Sequence, residues 1–141
     1  MNAFLDTSVL VATFYGDHEH HDPSIDLFLR FDKVNVGCAA HSLAEVYSTL
    51  TGMPGKHRAS GDEALLFLGN IRERMTIVTL NEDEYFKAVE SAAAVGVSGG
   101  GVYDGLIGHC AMKVHAEGIY TWNVKHFTRL GPAFAERVKT P

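Results

Sequence analysis

Short apolar or β-branched runs alternate with longer helix-patterned stretches along the whole of this chain, which limits its fold more than any other feature of the sequence. Ala3-Phe4-Leu5 is the first run, and Asp6-Thr7-Ser8 turns it into a short helix through Phe14 that stops at Gly16. Asp22 followed by Pro23 predicts an N-cap and a first helical proline, with Ile25, Leu27, Phe28, Leu29 and Phe31 as the apolar face. A buried strand over Val34–Cys38 and a helix over Ser42–Leu50, closed by Gly52, Pro54 and Gly55, come next. Ser60 and Glu63 have the spacing of a capping box and open another helix. Thr76–Leu80 reads as a strand, and Asn81 caps a helix whose first turn carries Glu82, Asp83 and Glu84 and which Gly96 ends. A glycine-rich loop over Val97–Gly101 leads to a helix from about Tyr103 to Glu117, a strand over Ile119–Trp122, a turn near Asn123–Phe127 and a last short strand near Arg137-Val138.

Strands alternating with helices predict a parallel sheet with helices on both faces, a three-layer α/β domain. At 141 residues the chain suits a single domain over 1–141, long enough to fold around its own core without a disulfide or metal staple. The two cysteines, Cys38 and Cys110, lie far apart and read as small buried thiols. No stretch approaches the roughly 18 apolar residues of a membrane span. The first residues lack a basic region and Asp6 interrupts the apolar run, so a secretory signal is not expected and the cytoplasm is the expected location.

Ligands of parallel α/β sheets bind beyond the carboxyl ends of the strands. The polar residues expected there are Asp6, Thr79, Asn81 and Thr121 to Asn123. Asp6 after a buried strand is either a helix cap or a metal ligand. Glu45, within Leu43-Ala44-Glu45-Val46-Tyr47, is either part of a solvated helix face or a site acid. Asp104 is either a carboxylate at a helix start or a third acid, and Asn123 either a turn residue or a site amide. A parallel sheet brings all four to one edge. Three carboxylates gathered there repel one another and call for a counter-charge; an all-oxygen set suits Mg²⁺ or Mn²⁺.

Phe4-Leu5-Asp6-Thr7-Ser8-Val9-Leu10-Val11 resembles the opening motif of the PIN-domain ribonucleases, especially the VapC toxins of bacterial toxin–antitoxin pairs. Glu45 in Ser42-Leu43-Ala44-Glu45-Val46, Asp104 in Tyr103-Asp104-Gly105-Leu106-Ile107 and Asn123 in Thr121-Trp122-Asn123-Val124-Lys125-His126-Phe127 resemble the family's later motifs, in order. The resemblance implies a PIN-like fold and a Mg²⁺-dependent endoribonuclease, with Mn²⁺ an acceptable substitute. It also implies Asp6, Glu45 and Asp104 as metal ligands and catalytic residues, with Asn123 where many relatives carry aspartate. Asparagine keeps a carbonyl oxygen and an amide but brings no charge. Asn123 would then position a water or the scissile phosphate, with Thr7, Ser8 and Thr121 as supporting hydroxyls. A homodimer and a cognate VapB-type antitoxin are the implied protein partners. An arginine of that antitoxin set against Asp6 and Asp104 would complement the acidic pocket.

The net charge of −5 does not exclude RNA, because residues 121–141 carry Lys125, Arg129, Arg137 and Lys139 against Glu136 alone. Lys125, Arg129, Lys56 and Arg58 are the expected contacts to an RNA backbone. Competing readings are a catalytically silent PIN-like binding module and a serine hydrolase. The latter would use Ser98 in Gly96-Val97-Ser98-Gly99-Gly100, with Asp104 and His109 downstream, and it requires a strand ahead of the serine. His18-Glu19-His20-His21-Asp22 reads as a polar loop rather than a zinc site.

Overall fold

The computed structural model describes residues 1–141. Five short strands form its sheet: β1 (Ala3–Leu5), β2 (Val36–Ala39), β3 (Thr76–Val78), β4 (Gly118–Tyr120) and β5 (Val138–Lys139). Every neighbouring pair is parallel and the order is β3-β2-β1-β4-β5. Eight helices connect them: α1 (Thr7–Phe14), α2 (His21–Arg30), α3 (Ala40–Gly52), α4 (Gly61–Arg74), α5 (Glu82–Ala94), α6 (Gly101–Lys113), α7 (Val124–Thr128) and α8 (Pro132–Ala135).

Both faces of the sheet are covered, and the side-chain alternation of the strands divides the core in two. Ala3, Leu5, Val36 and Cys38 join Val9, Leu10, Leu27, Val46, Leu50, Phe67 and Ile71 beneath α1 to α4. Phe4, Ala39, Val78 and Ile119 face the other way, onto Ile107, Cys110 and Ala111 of α6 and Phe127 of α7. The three-layer α/β arrangement expected from the sequence is the one observed. Both cysteines are free and buried, and burial pushes their thiols up to about 12 for Cys38 and about 11 for Cys110, which makes them poor nucleophiles.

Local signals account for most helix boundaries. Ser60 and Asn81 each complete a reciprocal capping box, with Glu63 and Glu84 respectively. Some boundaries differ from expectation. α2 starts at His21, with Asp22 inside its first turn rather than at the cap, and Pro23 is tolerated there because first-turn N–H groups have no helical partner. β2 begins at Val36, because Asp32 and Asn35 close a turn and leave Val34 exposed. α6 ends at Lys113, where His115 takes the left-handed conformation (φ 52°) and the N–H groups of His115 and Ala116 close onto Met112 and Ala111. α8, opened by Pro132 after Gly131 (φ 129°), has no counterpart in the expected elements.

The strand order reverses direction at β1 and β4, so the carboxyl ends of these two strands open onto a crevice. Their pairing, Phe4 beside Ile119 and Leu5 beside Tyr120, sets Asp6 and Thr121 side by side. Phe4 is fully buried in the middle of this register. Phe4→Ala is expected to cost about 3–5 kcal/mol in urea denaturation, with the denaturant slope unchanged; a loss below 1 kcal/mol would contradict the packing described.

Candidate active site

Asp6 is 3% exposed, a position at which an ionised carboxylate needs strong partners. It caps α1, and its Oδ2 accepts from the Ser8 hydroxyl at 2.7 Å, the Thr121 hydroxyl at 2.8 Å and the Ser8 N–H at 3.4 Å. Both readings of Asp6 are therefore compatible: one oxygen caps the helix while Oδ1 has no protein partner. The two hydroxyls also accept. Ser8 Oγ takes the Trp122 N–H at 3.0 Å and Thr121 Oγ1 takes the Asn123 N–H at 2.9 Å. One buried carboxylate thus fixes the loop between β4 and α7.

Glu45 approaches from the middle of α3. The Thr7 hydroxyl donates to its Oε1 at 2.8 Å and lies 3.0 Å from the fully buried Ser42 Oγ. His41 Nε2 stands 3.9 Å from Glu45 Oε2. Asp104 sits in the first turn of α6, its side chain 19% exposed, with His126 Nδ1 and Arg129 Nη2 each 3.5 Å from Oδ2. Gly101 makes room for this arrangement, since a Cβ there would overlap the Arg129 guanidinium and come within 2.6 Å of Val97 Cγ1. Asn123 precedes α7, exposed, and its side chain makes no capping hydrogen bond, leaving the amide for other use.

Asp6, Glu45, Asp104 and Asn123 line one cleft of about 460 Å³. Its effect on Asp104 is direct. Burial, then the charge of Asp6, pushes that carboxyl from 3.8 up to about 6, with Glu45 adding to the rise and His126 and Arg129 opposing it. Asp6, Glu45 and Asp104 offer oxygen donors alone, which matches the preference of Mg²⁺ and Mn²⁺. No three acidic, histidine or cysteine side chains stand close enough together to grip an ion by themselves, so waters would have to complete the coordination of any ion held here.

The same cleft is lined by residues that sequence reasoning did not assign to a site: His18, Glu19, His20 and Trp122. The first three belong to a stretch whose sequence signals only a polar loop, and Trp122 alone, inside the Thr121–Asn123 strand end, carries a positional signal. Lys56 and Arg58 do not line the cleft. Arg58 is tied to Met53 O, and the turn at Gly55–His57 is held to the end of α1 by Tyr15 and Asp17. No nucleophile elbow forms at Ser98: helix α5 precedes it where a strand is required, and the His109 ring is bonded to Gly105 O in its own helix. The residue 18–22 histidines form no zinc site; His21 Nδ1 is 2.9 Å from Ala12 O and His18 Nδ1 accepts the His20 N–H.

Residues 3–130 match the PIN domain family. The chain belongs to the PIN-domain family. This PIN domain is 33% identical over 112 residues to ribonuclease VapC40 of Mycobacterium tuberculosis, covering 79% of this chain and 80% of the relative. Among solved structures, the Mycobacterium tuberculosis sarcin-ricin loop cleaving toxin VapC20 superposes with a TM-score of 0.73 at 15% identity, over 89% of this chain and 92% of that one. Rickettsia felis VapBC2, solved bound to a fragment of its promoter DNA, superposes with a TM-score of 0.67 at 17% identity over 99% and 98%. These two likenesses concern the fold of the PIN domain. The VapC character read from its four motifs agrees with the VapC40 match.

Because Asp104 titrates above the ordinary carboxylate range, the fold favours its protonated form. Its stabilising contribution is complete below about pH 4 and is lost as pH rises through about 6. In metal-free buffer, Asp104→Asn is expected to be more stable than the wild type at pH 7.5, by about 1–2 kcal/mol once solvent screening is allowed for, and to match it at pH 4. A pH-independent difference, or a destabilised variant at pH 7.5, would contradict the electrostatic description.

Proposed function

We propose that this chain is an endoribonuclease that hydrolyses RNA phosphodiester bonds with Mg²⁺, for which Mn²⁺ substitutes. The observation that carries the reading is the convergence of Asp6, Glu45 and Asp104, from three separate elements, on one cleft at the carboxyl ends of β1 and β4. The 33% identity to a protein named a ribonuclease supports it. The three carboxylates would hold the ion. Bound there, Mg²⁺ supplies charge neutralisation and a more acidic water for in-line attack on a phosphodiester.

The remaining roles belong to the chain itself. Ser8 and Thr121 hold Asp6 Oδ2 so that Oδ1 faces away from its own helix cap. Thr7 orients Glu45. The Asn123 amide positions the attacking water or a phosphate oxygen without adding charge. Arg129 offsets Asp104 and, with the exposed Lys125 of α7, presents cations to the RNA backbone. An activity of this kind needs restraint in its host. The VapBC2 assembly of similar fold supports a VapB-type antitoxin as partner, and the homodimer implied by the resemblance to VapC toxins belongs to the same proposal.

Incubation of purified protein with total RNA, with and without Mg²⁺, tests the reading. Discrete new RNA ends are expected with metal and none with chelator. Asp6→Asn, Glu45→Gln and Asp104→Asn should each lower the cleavage rate at least 100-fold, a threshold on the order of the loss from removing one catalytic electrostatic group. Full cleavage in chelator, or by Asp104→Asn and Asp6→Asn, would refute it. RNA binding without metal-stimulated cleavage would favour the silent binding module.

A further inference from the structure

The ribonuclease reading uses the charged residues of the cleft and leaves its aromatic wall unexplained. The His20 imidazole lies flat on the Trp122 indole, with centroids 3.8 Å apart and planes 8° from parallel. The indole cannot turn freely: its Nε1–H donates to Ser24 Oγ at 2.9 Å, Ser24 is fully buried, and Trp122 also packs on the core beneath α1 to α4. Its backbone is held in turn by Ser8 Oγ, the same hydroxyl that donates to Asp6. His20 does no capping work for α2, which it precedes, and its side chain is 38% exposed. The result is a flat, partly open ring pair with an anchored indole, in the same cleft wall as Asp6, Glu45, Asp104 and Asn123, and His20 Nε2 lies 3.4 Å from Oε1 of the exposed Glu19.

We propose that the His20–Trp122 pair is a stacking platform for a nucleobase flanking the phosphodiester held at the acids, and so a substrate-positioning element of this cleft. The inference rests on the ribonuclease reading for the choice of RNA as ligand. Single-stranded RNA is bound chiefly by stacking its unpaired bases on aromatic faces. A plate already locked in place loses little entropy when a base joins it. Phosphate contacts near the acids position the strand but do not hold a base; a ring fixed to the same hydroxyl network as Asp6 gives that base a set distance from the reacting centre.

Trp122 is the only tryptophan of the chain, so its emission reports on this wall alone. The test uses five-nucleotide oligoribonucleotides and abasic ribose-phosphate strands of equal length. They are titrated in Mg²⁺ buffer against Asp104→Asn protein, a background chosen to prevent cleavage. The base-bearing strand is expected to quench Trp122 and to bind more tightly than the abasic one. Adding His20→Ala should weaken its binding roughly 5- to 150-fold and leave the abasic strand unaffected. His20→Phe, which keeps a flat ring, should restore it. Dissociation constants are compared rather than amplitudes, because unstacking His20 changes the emission by itself. Equal binding of both strands, no binding of either, or equal binding by His20→Ala and its parent would overturn the proposal. Mg²⁺-dependent cleavage by the unsubstituted chain is scored in parallel. Cleavage without the stacking signature removes this inference and keeps the ribonuclease, whereas the signature without cleavage does the reverse.

Discussion

Two hydroxyls hold this site together. Ser8 and Thr121 each donate to the same oxygen of the buried Asp6, and each accepts a backbone N–H from the loop that carries Trp122 and Asn123. Burying a carboxylate without such partners costs several kcal/mol or drives its protonation. Donor and acceptor roles are both filled at each hydroxyl, so the carboxylate, the start of α1 and the loop after β4 form one hydrogen-bonded unit. The parallel pairing of β1 with β4 makes this unit possible by setting Asp6 beside Thr121. The reversal of strand order there provides the crevice into which the other acids reach.

Glu45 and Asp104 reach the crevice from α3 and α6, which lie on different faces of the sheet. α3 packs on the core containing Leu5 and Cys38, and α6 on the core containing Phe4 and Ile119. Packing against both faces therefore forces like charges toward one another. At Asp104 burial first, and the charges of Asp6 and Glu45 after it, push the carboxyl up to about 6, while Thr7 steadies Glu45 and His126 and Arg129 draw Asp104 partly back.

Much of this was legible in the sequence because it depends on neighbours along the chain. The Ser60–Glu63 and Asn81–Glu84 boxes, the glycine stop after α5 and the short apolar strands all act over a few residues. The four site residues were legible one motif at a time, and the expectation of a parallel sheet placed them on one edge. What escaped depends on residues far apart in the chain. Nothing near residue 20 tells that His20 lies on Trp122, and the bond from Thr7 to Glu45 spans 38 positions. Val34 has an apolar side chain that suits a strand, but the Asp32–Asn35 turn leaves it exposed. α8 is a single turn whose only signal is a glycine before a proline.

The central claim is that Asp104, buried in one cleft with Asp6 and Glu45, is the acid whose charge the proposed cation would stabilise. The most direct measurement is the titration of the Asp104 side-chain carboxyl by ¹³C NMR, in chelator and in saturating Mg²⁺. The account predicts a midpoint of about 6 without metal, against an ordinary value of 3.8, and a clear fall when Mg²⁺ binds. An ordinary midpoint in chelator, or one that Mg²⁺ leaves unmoved, would contradict it.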